Sequence, residues 1–178
     1  MDDGFIAKPL QKRQIDQAFP VVRAILPELA VERWRAFAAA LLDRAQGAPA
    51  ASVSPAGIMT VQNERGYIHG LFSYSAHEHL HHGRILTVEN FVVLDLFNLS
   101  GAAAELLRAM DTVARGLGCS AIHTNLPDSF SNLPDYCGTV LSYFRDQGHA
   151  VETLRLCKSL DGANDNMSHP LVTATDGD

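Results

Sequence analysis

Apolar residues recur along this chain with two rhythms, and the changes from one to the other mark its elements. Residues 5–10 are short and mixed and suggest a first strand. Over residues 14–26 the rhythm is helical, with Ile15, Ala18, Phe19, Val22, Ile25 and Leu26 on one stripe. Pro20 lies inside that stripe as an expected break or kink, and Pro27 ends it. Residues 31–44 repeat the rhythm through Trp34, Phe37, Ala38, Leu41 and Leu42. Residues 46–55 are small and contain proline, which predicts a loop. Three strand-like runs follow at 57–63, 67–75 and 85–94, the first two joined by a turn at Asn63-Glu64-Arg65-Gly66. The third, ILTVENFVVL, is β-branched enough to be buried on both faces.

The helical rhythm returns over 101–117 (Leu106, Leu107, Met110, Val113, Ala114, Leu117), with Gly116 and Gly118 as stop signals. A short strand at 120–124 comes directly after. Strand, helix and strand in succession predict a parallel pair. Beyond a loop at 127–134, residues 136–147 suggest a helix and 150–160 a last strand. Residues 161–178 have no periodicity and read as a loose tail behind a domain spanning 1–160.

Composition narrows the class. In 178 residues, 47% hydrophobic and 19% charged content fits a folded globular chain. A formal net charge of −6, with no Lys/Arg-rich run, argues against a nucleic-acid partner. Cys119, Cys137 and Cys157 are scattered and unpaired in spacing, so neither a disulfide framework nor a cysteine zinc site is expected. The opening Met1-Asp2-Asp3-Gly4 has no apolar leader, and no run approaches membrane-spanning length. The expected setting is the cytoplasm, without a membrane partner.

The chemistry concentrates at the end of the strongest strand, in VENFVVLDLFNLSGAAAELL (residues 88–107). Ser100 is a natural N-cap, and Gly101, Ala102, Ala103 and Ala104 leave the first helical turn uncrowded. N–H groups at a helix start, with the positive end of its dipole, suit a phosphate. The same small residues also suit a helix that simply packs tightly.

The order of elements from Phe5 to Leu160 resembles the GNAT (GCN5-related N-acetyltransferase) superfamily. That family's acyl-CoA loop, R/Q-x-x-G-x-G/A, is similar to Asn98-Leu99-Ser100-Gly101-Ala102-Ala103, with Asn98 replacing the usual Arg or Gln. Val88-Glu89-Asn90-Phe91-Val92-Val93 resembles its fourth strand, and Tyr143-Phe144-Arg145-Asp146-Gln147-Gly148-His149 its "FYxxxGF" segment. The fold implied is α/β, a mixed central sheet of about six strands flanked by helices.

The resemblance implies an N-acyltransferase that takes an acetyl or other acyl group from acetyl-CoA and passes it to an amine, a small molecule or a protein amino group. It implies that the backbone of Phe91, Val92 and Val93 pairs with the pantetheine arm. The amides from Leu99 to Ala104, after Asn98, would hold the pyrophosphate. The fourth and fifth strands would splay to admit the arm, and the Phe91 amide would stabilise the oxyanion. Glu89 is then the candidate general base, acting directly or through a water. For the general acid, the family's tyrosine position holds Phe144, which leaves Tyr143 and Tyr136 as candidates, while Cys137 replaces a frequent Asn. His123 and Asn125 could add polar groups near the splay. A homodimer is possible, and no metal is expected.

Two further readings stay open. A GNAT-fold module could bind acyl-CoA without turnover, as Phe144 and Asn98 would suit. Alternatively, the chain could bind metal through His77-Glu78-His79-Leu80-His81-His82, where an extended backbone would place His77, His79 and His81 on one face. That run reads as a solvated hairpin loop, which could also line the acceptor entrance.

Overall fold

The computed structural model describes residues 4–47, 55–94, 99–126 and 134–152; for residues 46–47 and 134–137 it describes the backbone alone. The elements are β1 (Ile6–Pro9), a 3-10 turn (Lys12–Gln14), α1 (Ile15–Ile25), α2 (Val31–Gly47), β2 (Ala56–Gln62), β3 (Ile68–His79), β4 (Gly83–Val93), α3 (Leu99–Gly116), β5 (Ala121–Thr124) and α4 (Pro134–Asp146). The described strands form one sheet in the order β1-β2-β3-β4-β5. Neighbours are antiparallel except β4 and β5, which run parallel. The mixed α/β architecture is the one expected, with five strands among the described residues where about six were expected. Ala150, Val151 and Glu152 belong to no strand, and 153–160, like the tail at 161–178, lie outside the described residues. No described helix is long and apolar enough to cross a membrane.

Strand alternation gives the sheet two apolar faces, each covered by helices. Val61, Phe72, Leu86, Val88, Phe91 and Val93 meet Ala102, Ala103, Leu106 and Met110 of α3 and Val140 and Phe144 of α4. On the opposite face Ile58, Leu71 and Val92 meet Ala18, Val21, Val22 and Ile25 of α1 and Trp34, Ala38 and Leu42 of α2. Trp34 Nε1 donates to the Ile15 carbonyl at 2.7 Å, which fixes α2 against the start of α1. Both sets of helices therefore bury their stripes against one sheet, whose central strands are apolar on both sides.

Helix α1 runs through Pro20 without a break. Proline removes one N–H and crowds the carbonyl four residues back, a cost of about 3 kcal/mol in a helix interior. Pro20 and Asp16 both face solvent, where water can solvate the released carbonyl. The buried Ala18, Val21, Val22 and Ile25 hold the helix on the sheet. The first hairpin turns as expected: Gly66 takes φ 82°, and Asn63 Oδ1 accepts from the Arg65 and Tyr67 N–H groups. The second differs from the sequence reading. β3 continues to His79, and only Leu80, His81 and His82 make the turn before Gly83 (φ 69°). Helix α2 likewise extends to Gly47 before residues 48–54, which lie outside the described residues.

The close approach of α3 to the sheet depends on Gly70. A Cβ there would meet the Val92 carbonyl oxygen at 2.6 Å, Leu106 Cδ1 at 3.0 Å and Val61 Cγ1 at 3.1 Å. The first neighbour is backbone in a central strand and cannot rotate away. Gly70→Ala is expected to lower stability by about 1–3 kcal/mol, as overpacking does. Urea denaturation checks this, and an unchanged midpoint would show that the strand and helix can part freely.

Candidate functional site

The end of β4 departs from regular strand geometry. On β3 the register passes from Ser73 to Leu71, while on β4 it passes from Glu89 to Val92, so β4 carries one extra residue. Asn90 absorbs it with φ 55°, the left-handed region that Asn tolerates better than most residues. Its Nδ2 donates to Ser73 Oγ at 2.9 Å, and that buried hydroxyl donates to the Glu89 carbonyl at 3.1 Å. This bulge was not anticipated from the sequence. Its trace is the spacing Val88-Glu89-Asn90-Phe91, where two polar residues separate apolar ones that pack on the same face.

The parallel ladder stops at the same place. β4 and β5 pair from Ile85↔Ala121 to Val88↔Thr124, and the Asn125 N–H adds a last bond to the Val88 carbonyl at 2.9 Å. β4 continues to Val93, so from Glu89 onward it has no β5 residue opposite it among the described residues. Leu126, just past β5, packs against both apolar clusters and so marks the seam between them.

Glu89 is half-buried at the start of this fork. It pairs with Ser73, two residues along from Leu71, which places it on the α1–α2 side of the sheet. Asn125 Nδ2 donates to Glu89 Oε1 at 3.3 Å, so one of the two polar residues noted at the end of β5 does meet the candidate base. His123 does not. It pairs with Thr87 one step before the fork, beside His79 and His82. Burial holds the His123 imidazole below its ordinary range; the neighbouring histidines add to this and Glu152 opposes it.

α3 opens beyond β4 at Leu99, so Ser100 stands in the first turn rather than at the cap. Asn98 lies outside the described residues. Helix geometry points the first-turn N–H groups out of the helix end. Around them Ser100 and Ala104 are exposed and Gly101 is half-buried, whereas Ala102 and Ala103 are buried against the sheet. Ala102 and Ala103 therefore serve tight packing against the sheet, while Ser100 and Ala104 face solvent.

Phe144 is buried, edge-on to Phe91 at 4.8 Å between ring centres and to His149 at 5.0 Å. The ring that reaches β4 from α4 thus has no hydroxyl. Tyr143 is half-buried against the same apolar cluster. Tyr136 and Cys137 fall in α4, but their side chains lie outside the described residues. A cavity of about 410 Å³ runs along β5 toward α4, lined in part by Thr87, Thr124, Asn125, Leu126, Leu141 and Phe144. It reaches the mouth of the fork through Asn125 and Leu126 without including Glu89.

No family model and no curated protein matches the sequence. Solved structures match the fold over nearly its whole length. An aminoglycoside N-acetyltransferase, AAC(6')-Iy, in complex with CoA superposes with a TM-score of 0.66 at 13% identity, covering 88% of this chain and 95% of that one. Glucosamine-6-phosphate N-acetyltransferase from Arabidopsis thaliana gives 0.61 at 13% identity, covering 88% and 99%. Ribosomal-protein-alanine N-acetyltransferase from Brucella melitensis biovar Abortus 2308 gives 0.63 at 16%, covering 87% and 99%. With its strand order, its parallel β4–β5 pair and these likenesses, the chain has the GNAT acetyltransferase fold.

Proposed function

We propose that this chain is an acyl-CoA-dependent N-acyltransferase that moves an acetyl group from acetyl-CoA to an amine within a ternary complex. The observation that carries the reading is the fork: β4 continues five residues, Glu89 to Val93, beyond its last β5 partner, and α3 begins just past it. An extended pantetheine arm is a natural neighbour for strand backbone, as an added strand would be. A helix start with small side chains, as at the opening of α3, suits a diphosphate. These residues fit a CoA thioester, which when bound supplies the activated acyl carbon.

The roles follow from position. Phe91, Val92 and Val93 offer backbone to the arm, and the Phe91 N–H is the assigned donor to the oxygen that gains charge. Leu99 to Ala104, with Asn98 ahead of them, hold the diphosphate. Glu89 takes the proton that the amine loses on forming the amide. Asn125 positions it, because its amide donates to one carboxylate oxygen at 3.3 Å and so restrains the group at the fork. Protonation of the departing thiolate is assigned to an α4 hydroxyl, Tyr143 or Tyr136, since Phe144 has none.

The acceptor class is amine. The names of the similar structures span an aminoglycoside, a sugar phosphate and a protein alanine, so the fold alone selects no acceptor. A second reading, acyl-CoA binding without turnover, draws on Phe144 at the inward α4 position. A thiol-release assay over a panel of aminoglycosides, amino sugars, polyamines and peptide N-termini decides between them. Release of CoA that depends on one amine class is expected. Binding of acetyl-CoA with no release across the panel would favour the second reading, and no binding would end both.

A further inference from the structure

The short β3–β4 turn folds His82 back beside His79, and their rings stack 5.4 Å apart. His123 of β5 lies edge-on to both, 4.8 Å from His79 and 5.3 Å from His82 between ring centres. One ring nitrogen from each of the three lies within 4.8 Å of the others, and all three residues are half-buried. Glu152, after α4, closes a fourth side: its Oε1 is 2.7 Å from His82 Nε2, and its Oε2 is 3.5 Å from His123 Nε2. The latter is an ion-pair distance, not a hydrogen bond, so the buried His123 Nε2 has no hydrogen-bond partner among the described residues.

From this geometry we infer that His79, His82 and His123, with the Glu152 carboxylate as fourth ligand, form a site for a zinc-class divalent cation. The donor set is the nitrogen-and-oxygen combination that zinc accepts, and its number suits a closed tetrahedron. Nitrogens at about 2.0–2.1 Å from a tetrahedral zinc stand about 3.3 Å apart, so closing the present cluster is within reach of side-chain rotation. Binding breaks two sets of contacts: the hydrogen bond between His82 Nε2 and Glu152 Oε1 gives way as both side chains turn to the ion, and so do those at His79. His79 Nδ1 accepts from the His81 and His82 N–H groups at 3.3 Å each. A neutral imidazole coordinating through Nε2 carries its proton on Nδ1, so these long contacts give way.

The ion would join three segments that lie far apart in sequence: the hairpin tip, β5 and the chain after α4. It would brace the base of the fork, because His123 pairs with Thr87 while Asn125, two residues on, bonds Glu89. A competing set, His81, His82 and Glu152, shares two of the ligands but not His123. The inference does not depend on acyl transfer.

Tag-free full-length protein, stripped with a chelator, would be titrated with Zn2+ by calorimetry and with Co2+ by absorption. One equivalent should bind, with the intense visible bands of tetrahedral cobalt and a rise in melting temperature. His123→Gln and His82→Gln should each weaken binding by more than the roughly 10–100-fold that loss of an outer-shell partner costs. His77→Gln should leave it unchanged. Far-ultraviolet circular dichroism checks folding, and should His123→Gln not fold, the same loss in His79→Gln, a ligand that the competing set lacks, decides. Zinc binding as tight in His123→Gln as in wild type, or no one-equivalent binding by wild type, would overturn the site.

Discussion

Gly101→Glu should abolish the stabilisation that acetyl-CoA gives the wild-type protein. At a hundredfold excess over its dissociation constant a ligand stabilises the folded state by about 2.7 kcal/mol, read as a rise in melting temperature. The new side chain would add bulk to the first α3 turn and set a carboxylate against a diphosphate. The substitution should not harm the unliganded fold. Glu has a better helix propensity than Gly by about 0.5–1 kcal/mol, and an acidic group at a helix start is favoured by the dipole. The expected result is thus a variant at least as stable as wild type that no longer responds to acetyl-CoA. A full response would contradict the assignment of this turn to the pyrophosphate.

Glu89→Gln should lower turnover by about 10²–10⁴-fold, the usual contribution of a positioned general base. The amide keeps the shape of the carboxylate and an oxygen that can accept from Asn125 Nδ2, so the local structure should persist. It cannot take a proton at neutral pH. Acetyl-CoA binding should stay the same, because Glu89 precedes the segment assigned to the arm. Turnover within a few-fold of wild type would remove Glu89 from the chemistry and leave its contact with Asn125 as a tie across the fork.

The two variants divide the account, since one acts on binding and the other on the chemical step. What the sequence disclosed also divides in physical terms. Elements defined by local periodicity were legible: the β-branched run of β4, the α3 stripe through Leu106 and Met110, and the Asn63–Gly66 turn. Pro20 was misleading, because a local rule expected a break that packing of Val21, Val22 and Ile25 overrides. The extent of β3 was also underestimated: polar His77 and His79 read as loop, although their alternation fits the strand they occupy.

Features created by pairing between distant segments were harder to read. The fork was expected only through the family resemblance, because it depends on where β5 stops, which no residue of β4 announces. The bulge at Asn90 left only a lapse in alternation. The meeting of His123 with His79 and His82 arises from the Thr87↔His123 register, so residues more than forty positions apart become neighbours with no shared motif. Nothing in the sequence sets Gly70 apart from another strand glycine, because the Val92 carbonyl and Leu106 that close on it are distant in the chain. The loop resemblance at residues 98–103 was legible as a motif, yet the start of α3 at Leu99 shows that its serine sits inside the helix rather than capping it.

Backbone hydrogen exchange with and without saturating acetyl-CoA tests the fork most directly. Slower exchange is expected in two separate stretches, residues 89–93 and residues 99–104, with little change in β1 and β2. Protection confined to other segments, or none at all while the ligand binds, would contradict the placement of the cofactor between β4 and the start of α3.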